Sequence, residues 1–421
     1  MVLPWCRAEQ CDRQSVVVRS ALASLGIAAS IVSILGGTPD GETGDIDWTA
    51  VVDARMVGHD TVVGDLWWTD LSEMTLPLAY QREAVSLARW LADPDSSAPS
   101  FARFGWLEAA AKWICETLGS EASRTPLVPS VYKASPTRAV VGFNTSCGTF
   151  YVKAEAPGST EEHVTRYLEH LHPSEFPRVV SVNAETGWWL TAALPGRPLH
   201  QVSCEAVWFG AGEELAAVQA RLRSHSRRIV DLGVPIVPLR DLQKEIEALV
   251  GELSANRDED APPREARLAI SERDCADTLI ALSEACTEEG LADPPLTWLH
   301  TDPAPSNILD SSGKISFIDL SDSVVGPAHL PAGVFVLRLS SDASLRGRAF
   351  LAGYARGWSR AGIRFKTSRM GDLRILAHSL DIWLQNRQLE RRRTAREIVC
   401  DAALTRRRLA RRLVRRVRQE R

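Results

Sequence analysis

The chain has 421 residues, enough for two or three domains. Its composition, with 45% hydrophobic and 24% charged residues, is that of a globular protein and excludes a largely disordered chain. The formal net charge is −4, but residues 387–421 contain fourteen arginines and four acidic residues, which leaves −14 for residues 1–386. An acidic body can steer a cationic substrate toward the protein, although many unrelated proteins carry the same charge.

The cysteines are scattered, with no Cys-x-x-Cys pair and no histidine at zinc-binding spacing. This pattern predicts reduced thiols in a cytoplasmic protein. The apolar stretch 21–37 is either the apolar region of a signal sequence or a buried helix followed by a strand, and its short length and interrupting serines favour the second. No other stretch approaches a membrane segment, so no membrane partner is expected.

Residues 1–125 form an N-terminal extension in which no residue pattern indicates chemistry. Apolar periodicity predicts both helices and short strands here, and residues 93–100 are typical of a linker. The predicted helices cover 13–25, 80–91 and 104–118, and the predicted strands cover 31–35, 49–53 and 61–68.

From residue 127 the pattern changes to three short strands, 127–132, 138–144 and 149–154. The connection 133–137 contains no glycine, whereas the turn 145–148 is typical of a hairpin. Lys153 stands near the end of the third strand.

A helix is predicted to begin at Ser159. Ser159 and Glu162 fit a capping box, in which the serine and the glutamate satisfy each other's backbone amides. Glu161 then shares a helical face with Val164 and Leu168, and this face turns toward the sheet.

Residues 188–194 form a strand that runs into a Pro-Gly turn, and beyond it the chain is mainly helical. The predicted helices cover 206–224, 239–253, 271–288, 333–339, 344–361 and 367–390. The stretch 391–421 is helix-prone and rich in arginine. It either lies on an acidic membrane or nucleic acid, or packs its aliphatic positions on its own domain, and the second is favoured.

The most informative stretch is 298–320. An apolar run enters a polar loop, a short strand follows at 307–309, a Ser-Ser-Gly turn reverses the chain, and a second strand ends on a carboxylate. A loop that feeds a hairpin brings its entry close to the far end of the second strand. We therefore expect the side chains of Asp302, Asn307 and Asp319 to lie together at one opening, where the loop entry meets the end of the second strand.

These three side chains suit phosphoryl transfer from ATP. One carboxylate can accept the proton of an attacking hydroxyl, while an amide oxygen and a second carboxylate can hold Mg²⁺, which prefers oxygen ligands. The alternative is that Asp302 opens a turn before Pro303 and that Asn307 and Asp319 cap a hairpin. That alternative does not explain a carboxylate at the end of a buried apolar strand.

The spacing His-x-Asp-x-x-x-x-Asn followed by Ile-Asp resembles the catalytic and metal-binding loops of the aminoglycoside phosphotransferase family, the small-molecule branch of the protein-kinase-like fold. The resemblance implies an α+β, bilobal fold, with a small antiparallel-sheet lobe over 126–195 and a mainly helical lobe over 196–390. The N-terminal extension 1–125 and the tail 391–421 lie outside these lobes. The resemblance also implies an ATP-dependent phosphotransferase that acts on a hydroxyl of a small molecule, with an aminoglycoside-like compound as one candidate acceptor.

The same resemblance assigns roles to the residues of the loop. Asp302 would be the catalytic base, Asn307 and Asp319 the Mg²⁺ ligands, and His300 a brace for the loop. Thr301 and Ala304 replace the glycine and the second histidine usual in the family, and Pro303 removes a backbone donor.

The smaller lobe would supply the nucleotide contacts. Lys153 would contact the phosphates of ATP, with Glu161 as its ion-pair partner and Glu162 as the alternative. The peptide groups of Ala192 and Leu194 would meet the adenine. Ser135 and Thr137 either contact phosphate or are plain turn residues.

Two other classes of function are compatible with the sequence. One is a nucleotide-binding pseudokinase that serves as an interaction module, against which the presence of Lys153, Asp302, Asn307 and Asp319 argues. The other is a nucleic-acid-binding protein that uses the arginine-rich tail, for which tight and strongly salt-dependent binding is expected.

Overall fold

The computed structural model describes 29–39, 46–54, 100–102, 106–119, 127, 129–135, 138–155, 159–255, 270–287, 295–339, 344–363, 370–394 and 402–420. The chain divides into two compact units. The sheet unit comprises residues up to 159 together with 178–193, and the helical unit comprises 160–177 and 194–421. The predicted helices 13–25 and 80–91, the strand 61–68 and most of the linker 93–100 lie outside the described residues.

The sheet unit contains a five-stranded antiparallel sheet in the order β3-β4-β5-β7-β6. Its strands are β3 (Pro129–Ser135), β4 (Arg138–Thr145), β5 (Gly148–Glu155), β6 (Val179–Asn183) and β7 (Trp188–Ala192). Side chains alternate along β5, so that Phe150, Val152 and Ala154 are buried. These residues join a core that also contains Trp106 and Ile114 of helix α1 (Trp106–Leu118), a helix that the sequence predicted.

A second, two-stranded antiparallel sheet pairs β1 (Ala29–Pro39) with β2 (Ile46–Ala54). β1 contains the short strand predicted at 31–35, and β2 contains the short strand predicted at 49–53. β1 contacts β3, so this hairpin belongs to the sheet unit.

Strand β3 is longer than the sequence predicted. Lys133, Ala134 and Ser135 pair with β4, and the connection shrinks to residues 136–137. The prediction of a five-residue connection was therefore wrong. The ladder continues as far as Ser135 because each of these residues can still bond across to β4, whereas Pro136 has no amide hydrogen to give.

The helical unit begins with α2 (Glu161–Leu171) and continues after the sheet with eight further helices in the described residues. They are α3 (Glu205–Leu222), α4 (Ser226–Asp231), α5 (Leu239–Ala255), α6 (Glu272–Thr287), α7 (Leu330–Leu337), α8 (Ser344–Arg360), α9 (Met370–Thr394) and α10 (Ala402–Glu420). Short strands add two small antiparallel sheets. These strands are β8 (Arg197–Pro198), β9 (Leu296–Leu299), β10 (Ile308–Ser311), β11 (Lys314–Phe317) and β12 (Val324–Pro327). In one sheet β10 pairs with β8 and β11, and in the other β9 pairs with β12.

The arginine-rich helix α10 packs onto the helical unit. Leu409, Leu413, Val414 and Val417 are buried in a core that α5, α6 and α9 also supply. Its arginines reach outward to carboxylates, as in the pair of Arg406 with Glu252 at 2.6 Å. The prediction that the tail packs its aliphatic positions on its own domain is confirmed.

The fold class is α+β, as predicted, with a small antiparallel-sheet unit and a mainly helical unit of the protein-kinase-like type. Within the described residues, no helix combines the length and apolarity needed to cross a membrane.

Helices α3 and α8 approach each other through glycines. A Cβ atom added to Gly212 would lie 2.0 Å from the carbonyl oxygen of Phe350, whereas Gly210 of the same helix has open space around it. We predict that Gly212→Ala lowers the free energy of unfolding by about 1–3 kcal/mol or more, because the helices must separate.

The matched variant Gly210→Ala should instead raise the free energy of unfolding by about 0.5–1 kcal/mol through its helix propensity. Urea unfolding followed by circular dichroism would measure both changes. Equal effects of the two substitutions would show that α3 and α8 are not in close contact.

His329, which precedes α7, is fully buried, and neither ring nitrogen has a hydrogen-bond partner among the described residues. Burial lowers the pKa of His329 to about 4. Between pH 6.5 and pH 4 the unfolded chain therefore takes up a proton at this residue and the folded chain does not. Stability is lost as the pH falls through this window, by about 1.4 kcal/mol per pH unit.

We predict that from pH 7 to pH 4.5 the wild-type protein loses about 2–3 kcal/mol more stability than His329→Gln, which cannot titrate. Urea unfolding at the two pH values measures the difference. The other histidines are common to both proteins, so they cancel. If the stabilities of the two proteins changed in parallel with pH, His329 would take up its proton in the folded protein over this pH range.

Candidate active site

The hairpin β10–β11 forms as the sequence predicted. Ile308 pairs with Phe317 and Ser311 with Lys314, and the turn places Ser312 and Gly313 at positive φ. The carboxylate of Asp310 accepts the Gly313 amide at 2.8 Å. The turn is therefore held by Asp310, and Asn307 and Asp319 do not cap it.

Asn307 ties the loop before the hairpin to its second strand. Its Nδ2 donates to the carbonyl oxygen of Asp302 at 2.9 Å and to the Oδ2 of Asp302 at 3.3 Å. The carbonyl oxygen of Asn307 accepts the Ile318 amide at 3.0 Å, and its own amide donates to Ala304 at 2.8 Å. Asp302, Asn307 and the segment that carries Asp319 are thus brought together by direct hydrogen bonds.

Asp319 has a backbone φ of +62°. Residues other than glycine adopt this left-handed conformation at a cost, and such residues are found where the surrounding structure requires a particular side-chain direction. Ser321 Oγ donates to Asp319 Oδ1 at 2.9 Å, which orients the carboxylate.

His300 connects the same two segments from beneath. It is 1% exposed, and its Nε2 lies 3.0 Å from the carbonyl oxygen of Ile318, while its Nδ1 accepts the Asp302 amide at 3.3 Å. These bonds fit the neutral ring with its hydrogen on Nε2. Burial lowers the pKa of His300, against the opposing charges of Asp302 and Asp319. This is the geometry of a brace between the loop and the Asp319 segment.

The residues that depart from the family pattern take part in the same framework. Thr301 Oγ1 donates to the carbonyl oxygen of Asp322 at 2.7 Å. Ala304 accepts the Asn307 amide through its carbonyl oxygen. Both substitutions are therefore accommodated in a well-bonded loop.

Glu161 lies in the first turn of α2 and is 1% exposed. It lies close enough to His300 for its charge to act on the pKa of that ring, so it belongs to the surroundings of the loop that carries His300 and Asp302. Val164, Thr165 and Leu168 are buried on the same face, as the helical spacing predicted.

The predicted capping box is wrong. The N-cap residue is Thr160, without a side-chain cap, and Ser159 Oγ donates instead to the carboxylate of Glu155. Glu162 pairs with Arg166 at 2.6 Å. Ser159 Oγ donates to Glu155 because this carboxylate is charged, and charged acceptors form strong hydrogen bonds. Glu155 is itself paired with Arg138 at 2.9 Å. The Ser159 hydroxyl is therefore not used to cap α2.

Lys153 lies on β5 in the sheet unit, between Val140 of β4 and Trp189 of β7. Its Nζ lies 5.1 Å from the centre of the Trp189 ring, a cation–π distance. Lys153 and Glu161 belong to different units, and their ion pair stays a prediction.

The segment after β7 joins the two units along the chain. The Ala192 amide donates to the carbonyl oxygen of Arg178 at 3.1 Å, and the Ala193 amide donates to the carbonyl oxygen of Thr149 at 2.9 Å. Leu194 is the residue at which the chain returns to the helical unit. The contacts of Ala192 and Leu194 with adenine stay a prediction, as does phosphate contact by Ser135, and Thr137 lies outside the described residues.

Sequence analysis missed Arg338, the residue that follows α7. Its Nε donates to Asp302 Oδ1 at 2.8 Å, and its Nη2 lies 3.8 Å from Asp381 Oδ1 on α9. Arg416 of α10 holds the other oxygen of Asp381 at 3.0 Å. Two signals in the sequence could have indicated this contact. One is the single charged residue Arg338 directly after an almost wholly apolar helix, and the other is the carboxylate of Asp381 within the apolar run 380–384.

The donor atoms suit magnesium, which uses few protein carboxylates and completes its shell with phosphate oxygens and water. Asn307 and Asp319 offer an amide oxygen and a carboxylate. Where the chain is described, no cluster of three or more histidines, cysteines, aspartates or glutamates is arranged to hold a metal. The chemistry of the two donors Asn307 and Asp319 fits the Mg²⁺ ion that the sequence predicts.

Comparison with known proteins places the chain in a family. The model of the phosphotransferase enzyme family matches residues 140–370, more than half of the chain, including Lys153 and the whole of the loop and hairpin. No curated protein matches the chain significantly in sequence.

Solved structures of three kinds of enzyme are similar. A macrolide 2'-phosphotransferase from Brachybacterium faecium is 14% identical, with 68% of this chain and 97% of that chain covered and a TM-score of 0.47. A choline kinase from Streptococcus pneumoniae is 14% identical, with 73% and 99% covered and a TM-score of 0.44. An aminoglycoside phosphotransferase from Streptomyces rimosus is 19% identical, with 64% and 96% covered and a TM-score of 0.40. Because the family model spans more than half of its length, the chain belongs to the phosphotransferase enzyme family.

Proposed function

We propose that the protein transfers the γ-phosphoryl group of ATP to a hydroxyl group of a small molecule. The observation that supports this most is the bonded set of Asp302, Asn307 and the Asp319 segment, in which one candidate base stands beside two oxygen donors. Membership of the phosphotransferase enzyme family supports the same reaction.

In this proposal Asp302 accepts the proton of the acceptor hydroxyl. The hydroxyl oxygen forms a bond to the γ-phosphorus, the bond from that phosphorus to the β–γ bridging oxygen breaks, and ADP leaves. Asn307 and Asp319 hold Mg²⁺, which when bound neutralises charge on the phosphates. His300 keeps the loop and the Asp319 segment in register.

The remaining predicted residues would bind the nucleotide. Lys153 would contact the phosphates, and Glu161 would orient the Lys153 side chain. The peptide groups of Ala192 and Leu194 would contact the adenine. Ser135 and Thr137 are candidates for the loop that covers the phosphates. Use of ATP agrees with the cytoplasmic location predicted from the cysteine pattern.

One observation favours the alternative of a nucleotide-binding pseudokinase. Arg338 occupies Asp302 Oδ1, and Asn307 reaches Oδ2, so both oxygens of the candidate base already accept hydrogen bonds. The two functions differ in one measurement: a pseudokinase binds Mg²⁺-ATP but releases no ADP with any acceptor.

We predict that Asp302→Asn lowers kcat about 100- to 10,000-fold with an accepted substrate, because an amide cannot take up the hydroxyl proton. Release of ADP by wild-type and variant protein across a panel of hydroxyl acceptors measures this effect. Binding of Mg²⁺-ATP should change little.

Asp277→Asn on α6 is the matched control, because this carboxylate is partly exposed, lies 3.9 Å from Arg273 and belongs to a helix away from the catalytic loop in sequence. It should leave kcat unchanged. Unchanged turnover in Asp302→Asn would remove this residue from the role of base.

We also predict that Asp319→Gly abolishes Mg²⁺-dependent ADP release while changing the free energy of unfolding by no more than about 1 kcal/mol, since glycine adopts φ +62° without strain. Asp319→Val should abolish release as well and cost about 1–3 kcal/mol of stability, because a β-branched residue is strained there.

Ser312→Gly is the control for this pair, because Ser312 also has a positive φ, of 56°, but lies in the hairpin turn. It should retain full activity. If Asp319→Gly retained Mg²⁺-dependent release, Asp319 would not be a metal ligand.

A further inference from the structure

Arg338 belongs to a network of charges that runs from the candidate base to the last helix. It joins Asp302 of the catalytic loop to Asp381 of α9, and Arg416 of α10 joins the network on the far side of Asp381. These four residues come from four separate parts of the helical unit.

Arginines outnumber carboxylates in this network. Arg412 also lies close to Asp381 and Arg416, and burial lowers its pKa. Its Nη2 contacts Gln385, while its Nε has no hydrogen-bond partner among the described residues. Arg338, Arg412 and Arg416 therefore lie along one line of contacts that holds the two carboxylates Asp302 and Asp381.

Two further ionisable groups lie at the Arg416 end of the network. Glu420 is paired with Arg374 at 2.9 Å. His378 lies between Glu420 and Arg416, and burial together with Arg416 lowers the pKa of His378 to about 4, so that it is neutral at pH 7. His378 therefore adds no charge to the network.

The network can be reached by a ligand. The side chains of Arg338 and Asp302 are 40% and 41% exposed. An ion pair with that exposure is weak, because water screens it. A competing anion can therefore take the place of Asp302 on the guanidinium.

A cavity lies between the segment after Asp319 and helix α9. Ser321 and Asp322 line one part of it, and Trp383 and Arg387 of α9 line another. The Arg387 guanidinium lies 5.0 Å from the centre of the Trp383 ring. The cavity thus borders the segment that follows Asp319 and the helix that carries Asp381.

We propose that the acceptor carries an anionic group, a carboxylate or a phosphate, which binds Arg338 and draws it off Asp302 while the acceptor hydroxyl meets the freed Oδ1. The planar fork of arginine matches both kinds of anion with paired hydrogen bonds. This inference rests on the proposed function and names its substrate class. A cationic acceptor would instead meet the guanidinium of Arg338 beside the base.

The test uses acceptors that share one scaffold: glucose, gluconate, glucose 6-phosphate and glucosamine, with kanamycin as a larger cation. ADP release is measured with wild-type protein, Arg338→Gln and Arg338→Lys. Wild-type protein should use at least one of the two anions at least about tenfold better than glucose or either cation, and gluconate against glucose 6-phosphate shows which anion is preferred.

In Arg338→Gln this preference should fall about tenfold or more, and Arg338→Lys should restore part of it, because the charge returns without the fork. The control is Arg356→Gln on α8, whose arginine pairs with Glu213 at 3.6 Å. It should keep the full preference. Equal or better use of glucose, glucosamine or kanamycin by wild-type protein would overturn the inference and leave the proposed function standing.

A binding measurement separates the two proposals when no acceptor is turned over. Thermal unfolding is followed with Mg²⁺ and a saturating non-hydrolysable ATP analogue, with inorganic phosphate, gluconate, glucose 6-phosphate or glucose added at matched ionic strength. Stabilisation by an anion that glucose does not give, and that Arg338→Gln loses, supports the anion site even if transfer fails. No such Arg338-dependent stabilisation overturns it.

Discussion

The candidate active site depends on one interaction that crosses the hairpin. His300 in the catalytic loop bonds to the carbonyl oxygen of Ile318, and Asn307 accepts the amide of the same residue. Two bonds to one residue fix the loop and the Asp319 segment relative to each other. Because His300 is buried, the bond is protected from water, and the neutral ring, whose Nδ1 accepts the Asp302 amide, adds no positive charge beside the candidate metal ligands.

The rest of the helical unit supports this arrangement. Trp298, Phe317 and Ile308 anchor the two strands and the loop in one core, to which α3 and α8 contribute. The site is thus held on a rigid framework, while Asp302 remains partly exposed at its surface. A buried brace beneath an accessible carboxylate is what a group-transfer reaction on an external molecule requires.

Local patterns made much of this predictable. The spacing of His300, Asp302 and Asn307 and the turn after Leu309 are set within a few residues, so the hairpin and its polar loop followed from the sequence. The buried face of α2 followed equally from helical periodicity. Ser159 was misplaced because its partner, Glu155, lies before the helix rather than in its first turn, and a capping pattern cannot weigh that competition.

Arg338 could not have been found in the same way. Its bond to Asp302 joins residues 36 positions apart, and Arg416 and Asp381 are 35 positions apart. Such contacts depend on how α7, α9 and α10 pack, and the sequence of each helix is compatible with a solvent-facing arginine. The division of the chain was likewise hidden, because α2 interrupts the sheet in sequence, between β5 and β6, yet shares the core of the helical unit.

The position of α10 has a consequence for the chemistry. Its aliphatic face completes a core and its Arg416 holds Asp381, so the far end of the chain is linked to the candidate base by ion pairs in series. Dissolved ions weaken partly exposed pairs over about 8–10 Å at ordinary ionic strength. In the proposed reaction, the ionic composition of the surroundings would therefore tune proton transfer to Asp302 through α10.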